Sequence, residues 1–401
     1  MPERLILQPG RLIDGAGGAP WENPSVLIRA GRIEAVLPAG DPLPTDADVL
    51  ALRSATLLPG LIDCHLHLIG DRQVPPSEWG RPARPELARK AAAHAAEALR
   101  AGVTTIRDCG DMGGVVPELR AAIDAGSDVG PHVWACAGVI TTPGGHGHFM
   151  GIEAQGPAAV AQAAETLLER GADFLKVIAS GGGGTPGTYP WDSQFSAEEL
   201  RAAVDVAHRR GKRVCAHAHS VAAIRNCVDA GIDTLEHVTW ITAEGPRISD
   251  DLVRRLAQAG AWVIPTIACY RNPVQAGIPK TFIKKIGMTG MDFVELHQRQ
   301  VRRMLDAGVR VAGGTDGVQV GVGPGDIADE ALYLAETAGS AQFGLQAVTG
   351  LAAAALGLEG DRGVIAAGRR ADLLLVAGNP LEDMRALRRV VMVIKDGHPI
   401  P

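Results

Sequence analysis

Two imidazoles one residue apart, in Cys64-His65-Leu66-His67, follow the apolar run 56–63 and close what reads as a β-strand. Side chains i and i+2 of a strand point the same way, so neutral ring nitrogens of His65 and His67 can converge on one cation without bending the backbone. A single His-x-His also arises as a surface or core pair. Further ligand-type residues close later strand patterns: Lys176, then His217 and His219, then His237 after Glu236, and Asp316 in Gly314-Thr315-Asp316. Singly, each has a bland reading as a core histidine bonded to backbone, a strand-end aspartate capping a helix, or a lysine paired with an acid. Together, at the same end of successive strands, they are the equipment of a divalent-metal site.

Lys176 is the odd member, because Asp173-Phe174-Leu175-Lys176-Val177-Ile178 puts a charge inside an apolar strand. Burial is expected to lower its pKa, and a neutral amine can add CO₂ to form a carbamate, an anionic oxygen ligand able to bridge two cations. The competing reading pairs Lys176 with Asp316 in a site with one metal or none. His146, in Gly145-His146-Gly147-His148, follows the third strand, where a donor can stabilise a developing oxyanion; the alternative is a loop histidine bonded to backbone. Bare amides at Gly181 and Gly182 suit an anion such as an α-carboxylate. No Gly-x-x-x-x-Gly-Lys-Ser/Thr pattern makes this a phosphate loop. The same loop runs on to Tyr189, Trp191 and Asp192, an aromatic patch that either lines the site or packs on the barrel rim. Arg107 reads as a carboxylate clamp or as an internal ion pair with Asp108, and Arg271 or Lys280 in the loop 267–287 as a terminal recognition charge.

Eight apolar strands must carry these groups: 57–63, 104–108, 132–138, 174–179, 213–217, 234–237, 262–266 and 309–315. Helical, Ala-rich stretches alternate with them at 85–100, 157–170, 197–209, 222–230, 250–259 and 292–307, several ending at Gly. Eight βα units over roughly 300 residues predict an α/β fold, a closed (β/α)₈ TIM barrel, better than an open sheet. Reacting groups of such barrels sit at the C-terminal strand ends, where these residues fall. Short strands before residue 56, with a hairpin turn at Ala30-Gly31, and others at 371–376 and 390–394 after a helix 345–356, predict a small composite β-sandwich domain. Residues 1–56 plus 358–401 would form it, and residues 57–357 the barrel.

With 401 residues, 46% of them hydrophobic, the chain can bury a large core. Its 39 basic and 45 acidic residues are interspersed, and the net charge of -6 leaves no basic stripe for nucleic acid or an anionic membrane. Six cysteines without a Cys-x-x-Cys pair read as reduced thiols, and no apolar run is long enough to span a bilayer, so a cytoplasmic enzyme is expected, with a homo-oligomer open.

The motifs Pro59-Gly60-Leu61-Ile62-Asp63-Cys64-His65-Leu66-His67, Thr104-Thr105-Ile106-Arg107-Asp108, Gly144-Gly145-His146-Gly147, Lys176 with Ser180-Gly181-Gly182, Ala216-His217-Ala218-His219, Glu236-His237 and Gly314-Thr315-Asp316 resemble the amidohydrolase superfamily, on its imidazolonepropionase-like and Xaa-Pro dipeptidase (prolidase) branch. The resemblance covers nearly the whole chain. It implies two divalent metal ions, Zn by default: one held by His65, His67 and Asp316, the other by His217 and His237, with the CO₂-derived carbamate of Lys176 bridging them. His219 is then a substrate contact. Hydrolysis by a metal-bound hydroxide follows, with Asp316 as general base and acid and His146 on the oxyanion. The implied substrates are small molecules: Xaa-Pro or other dipeptides, or N-acyl amino acids. A lactone, cyclic amide, carbamate or organophosphate ester would use the same centre. Deaminating members more often keep one metal and lack the lysine, and a non-catalytic scaffold would have lost ligands that are all present here.

Overall fold

The computed structural model describes residues 4–400. Its central feature is a ring of eight parallel strands: Leu61–Leu66, Val103–Asp108, the split third strand His132–Ala135 and Val139–Thr141, Leu175–Ile178, Val214–Ser220, Thr234–Thr242, Trp262–Ile264 and Arg310–Val311. The ring closes where Cys64 N donates to Gly313 O at 3.1 Å and Asp316 N donates to His65 O at 2.8 Å. That closure sets the last ligand candidate beside the first. The chain is thus the expected (β/α)₈ barrel, and the strands are buried on both faces because helices cover the outside and side chains fill the inside.

Helices lie where the pattern placed them, among them Arg84–Arg100, Pro157–Glu169, Ala197–Arg209 and Gly290–Asp306. Ser196 opens Ala197–Arg209 with a full capping box through Glu199, and Gly231 and Gly260 end their helices in the left-handed conformation.

Four expectations are corrected. The first barrel strand begins at Leu61, not Leu57: Leu57–Pro59 belong to the long strand Asp48–Pro59, which pairs with Leu373–Ala377. The third strand is interrupted at Ala137, whose φ of 55° turns the chain before it resumes at Val139. The expected helix 345–356 is two, Ala341–Ala347 and Gly350–Leu356, because Ala347 O and Val348 O accept from Gly313 N and Ile62 N to seal the barrel. The expected loop 267–287 contains the helices Ile267–Gln275, which tolerates Pro273 within it, and Thr281–Lys285.

Both chain ends build the small domain, as expected, but as one hydrogen-bonded sheet that curls around a core of Leu7, Val26, Ile33, Leu57, Leu373 and Ile394. A bulge between Pro9 and Arg11 bends its first strand, Arg4–Leu12. Ala30 and Gly31, with φ of 48° and 76°, form the predicted hairpin turn. Among the described residues no helix is long and apolar enough to cross a membrane.

Candidate metal centre

Two ligand groups meet on the floor of a cavity of about 600 Å³ at the C-terminal ends of the barrel strands. In the first, His65 Nε2 and His67 Nε2 lie 3.4 and 3.1 Å from Asp316 Oδ1. In the second, ring nitrogens of His217, His219 and His237 lie within 4.8 Å of one another. The rings of His65 and His237, one from each group, are 5.2 Å apart. Lys176 lines the same floor, and its Nζ is buried without a hydrogen-bond partner among the described residues.

Three of the imidazoles are held by the outer nitrogen. His65 Nδ1 is 2.9 Å from Glu236 Oε2, His237 Nδ1 is 2.8 Å from Thr266 Oγ1, and His219 Nδ1 is 3.0 Å from Thr239 Oγ1. Such partners fix ring orientation and leave Nε2 for the cavity. Asp63 ties the first strand to the eighth by accepting from His65 N, Thr315 N and Thr315 Oγ1, at 3.0, 3.0 and 2.6 Å. His237, Thr266 and Asp316 have φ of 68°, 52° and 53°, a left-handed conformation that costs non-glycine residues about 1–3 kcal/mol each. Two of these, His237 and Asp316, line the cavity and the third, Thr266, holds His237, a clustering of backbone strain characteristic of a functional site. Gly314 permits it: a Cβ there would meet His65 N at 2.8 Å.

Burial pushes His65 and His146 down to about 4 and His217, His219 and His237 well below the ordinary histidine value, so all are neutral, the form that binds metal. Burial raises Asp316, but the His67 hydrogen bond and the neighbouring imidazoles outweigh it and hold it ionised. Burial likewise opposes the charge on Glu236, yet Arg107 and Lys176 keep it at about 2. Opposing influences act on Lys176. Burial lowers its pKa, and the neighbouring Glu236 carboxylate acts in the opposite direction. Neutral imidazoles and an ionised carboxylate beside a buried lysine whose Nζ has no hydrogen-bond partner among the described residues make a donor set that fits divalent metal chemistry.

His146 lines the cavity with its ring 4.7 Å from that of His217. Its Nδ1 is 2.9 Å from Thr185 Oγ1, which accepts from Gly147 N at 3.0 Å. Gln194 Oε1 accepts from His146 N at 2.6 Å. Tyr189 also lines the cavity, stacked on Trp191 at 4.8 Å.

Four residues expected to contact substrate have other partners: Arg107, Gly181, Gly182 and Arg271. Arg107 is buried beneath the floor, donating to Cys64 O, Thr234 Oγ1 and Glu236 Oε1 at 2.6, 2.8 and 2.8 Å; it positions Glu236, and Asp108 instead accepts from Leu68 N and Gly110 N. The amides of Gly181 and Gly182 are occupied within their own loop by Asp192 O and Thr188 Oγ1. Their role is close packing, since a Cβ on Gly182 would meet the His146 ring at 2.6 Å. Arg271 pairs with Glu336 and stacks on Tyr333, away from the cavity. Sequence reasoning missed Glu236, although its signal was that of Lys176, a charge inside an apolar strand. It also missed Cys269 and Gln319, which donate to Asp316 Oδ2 at 3.2 and 2.8 Å and carry no local pattern.

The amidohydrolase family profile matches residues 56–400. Ochratoxinase from Aspergillus niger is 27% identical over 96% of this chain and 83% of its own. Imidazolonepropionase from Sphingopyxis alaskensis is 26% identical over 89% of this chain and 87% of its own. A crystal structure of a Xaa-Pro dipeptidase with methionine bound in its active site superposes with a TM-score of 0.87 at 28% identity, covering 99% of both chains. A barrel that gathers two histidine groups, an aspartate and a buried lysine at one end, and that matches this profile over most of its length, makes the chain a member of the amidohydrolase family, an enzyme on its prolidase and imidazolonepropionase-like side.

Proposed function

We propose that this chain is a metal-dependent hydrolase that cleaves the amide bond of dipeptides, Xaa-Pro among them, or of N-acyl amino acids. The observation that carries the reading is the convergence of neutral imidazoles, one ionised carboxylate and an unpartnered buried lysine on a single cavity floor. His65, His67 and Asp316 would hold one divalent ion and His217 and His237 a second, with the carbamate of Lys176 between them. Bound there, the ions supply an acidified water and polarise the substrate carbonyl. His146 Nε2–H donates to the carbonyl oxygen as negative charge develops on it. Asp316 accepts a proton on Oδ2, the oxygen turned from His65 and His67, and passes it to the leaving nitrogen. His219, stacked on His237 at 4.6 Å, remains for the substrate, and the aromatic and aliphatic walls exclude bulk water.

The test is metal per chain by elemental analysis, with the protein purified without chelator, beside hydrolysis of a dipeptide and N-acyl amino acid panel. About two metals per chain that fall sharply in Lys176→Ala, together with turnover, support the reading. Metal content near zero that neither Zn nor Mn with bicarbonate restores would overturn it.

A further inference from the structure

The cavity walls are asymmetric in charge. Among the described residues, Asp316 is the only carboxylate that lines the cavity, and it belongs to the ligand set. Besides Lys176 on the floor, two ammonium groups line its walls, Lys280 and Lys285, and neither is paired with a carboxylate among the described residues. Lys285 Nζ donates to Gly182 O and Thr188 O, at 3.1 and 2.6 Å, and so fastens the glycine loop. Lys280 Nζ has weaker ties, Gln319 Oε1 at 3.0 Å and Cys269 Sγ at 3.6 Å. Both of those partners also donate to Asp316 Oδ2. Lys280 therefore stands on the side from which the proton reaches the leaving nitrogen. The α-carboxylate of a released amino acid lies two bonds from that nitrogen. On the acyl side, an α-ammonium would find no anion to receive it, only walls such as Phe149, Met150 and Trp79.

We infer that the substrates are N-capped amino acids, with a bulky uncharged acyl group and a free α-carboxylate received by Lys280, and that dipeptides with a free α-amine are poor substrates. The inference rests on the amide-hydrolase reading and narrows it. Burying an unpaired ammonium or leaving Lys280 without its anion carries a desolvation cost that a matched substrate avoids.

Three compounds isolate the two charges: 3-phenylpropanoyl-L-methionine, L-phenylalanyl-L-methionine, which differs only by the α-ammonium, and 3-phenylpropanoyl-L-methioninamide, which lacks the carboxylate. With metal-loaded protein, kcat/KM for the first is expected to exceed that of each of the others by roughly 10-fold to 100-fold. Lys280→Met is expected to erase the acid-over-amide preference and Lys280→Arg to retain part of it. Because the preference is a ratio measured on one protein, a general loss of fold does not mimic its erasure. Equal or faster cleavage of the dipeptide, or an acid-over-amide ratio unchanged in Lys280→Met, would overturn the inference. If none of the three is cleaved, the amide-hydrolase reading falls, and calorimetry on the uncleaved compounds still decides the inference. Tighter binding of the capped acid supports it, and equal or tighter binding of the dipeptide overturns it.

Discussion

The barrel carries a buried histidine–aspartate cluster at each end, and the two differ in what balances their charge. At the C-terminal end, His65 and His67 face Asp316 on the floor of an open cavity, and no guanidinium pairs with that carboxylate among the described residues. At the other end, His132 Nε2, where the third strand begins, lies 3.3 Å from both Asp372 Oδ2 and Asp396 Oδ2 of the small domain. There the acids are already answered: Arg370 binds Asp396, Lys395 stands 3.6 Å from it, and Arg362 stands 3.8 Å from Asp372. The same residue types thus make a clasp between domains where arginines are built in, and a ligand site where no guanidinium pairs with the carboxylate among the described residues. Counter-charge, more than the presence of His and Asp, separates structure from chemistry.

Substitutions that treat the two clusters alike should give unlike results. Asp316→Asn is expected to lower kcat by at least about 10³-fold and to reduce bound metal, measured by steady-state kinetics and elemental analysis. His146→Ala should lower kcat by roughly 10²-fold with little change in KM, the mark of a contact that strengthens in the transition state. Glu236→Gln leaves one acceptor oxygen for His65 and Arg107 to share and removes the negative charge that faces the buried guanidinium. Metal affinity should fall about 10-fold to 100-fold. Urea unfolding should show a loss of roughly 3–5 kcal/mol.

At the clasp the expected effects are smaller and fall on stability. Asp396→Asn should leave kcat within about 2-fold and lower Tm by about 1–3 °C. Burial opposes ionisation of Asp396, but the His132 hydrogen bond outweighs it and holds the carboxyl below its ordinary value of 3.8. A lowered folded-state value means that the stabilisation is complete above 3.8 and is lost as pH falls below it. Thermal scans from pH 5 to 2 should therefore show a decline that is shallower in Asp396→Asn. An equal slope in both proteins would show that the clasp contributes nothing to acid stability.

Much of the centre was legible because strand periodicity and barrel topology are local and repetitive. His65, His67, Lys176, His217, His237 and Asp316 each end or interrupt an apolar strand, and all reach one cavity. Arg107 and the Gly181–Gly182 amides show where that reasoning stops. A strand-end arginine and a bare glycine loop announce a capacity, but their partners come from distant chain: Glu236 for the guanidinium, Asp192 and Thr188 for the amides. The helix break at Val348 is likewise set by a carbonyl needed 286 residues earlier, at Ile62 N.

By itself the sequence determined the barrel, the composite second domain and the ligand types, because these follow from the spacing of apolar and ligating residues along each strand. Only the tertiary structure decided which charges were already spent. Counter-ions are recruited across elements, so Arg107 is consumed beneath the floor, Arg271 on the outside and Lys285 in a loop, while Lys280 on the cavity wall keeps no carboxylate partner among the described residues.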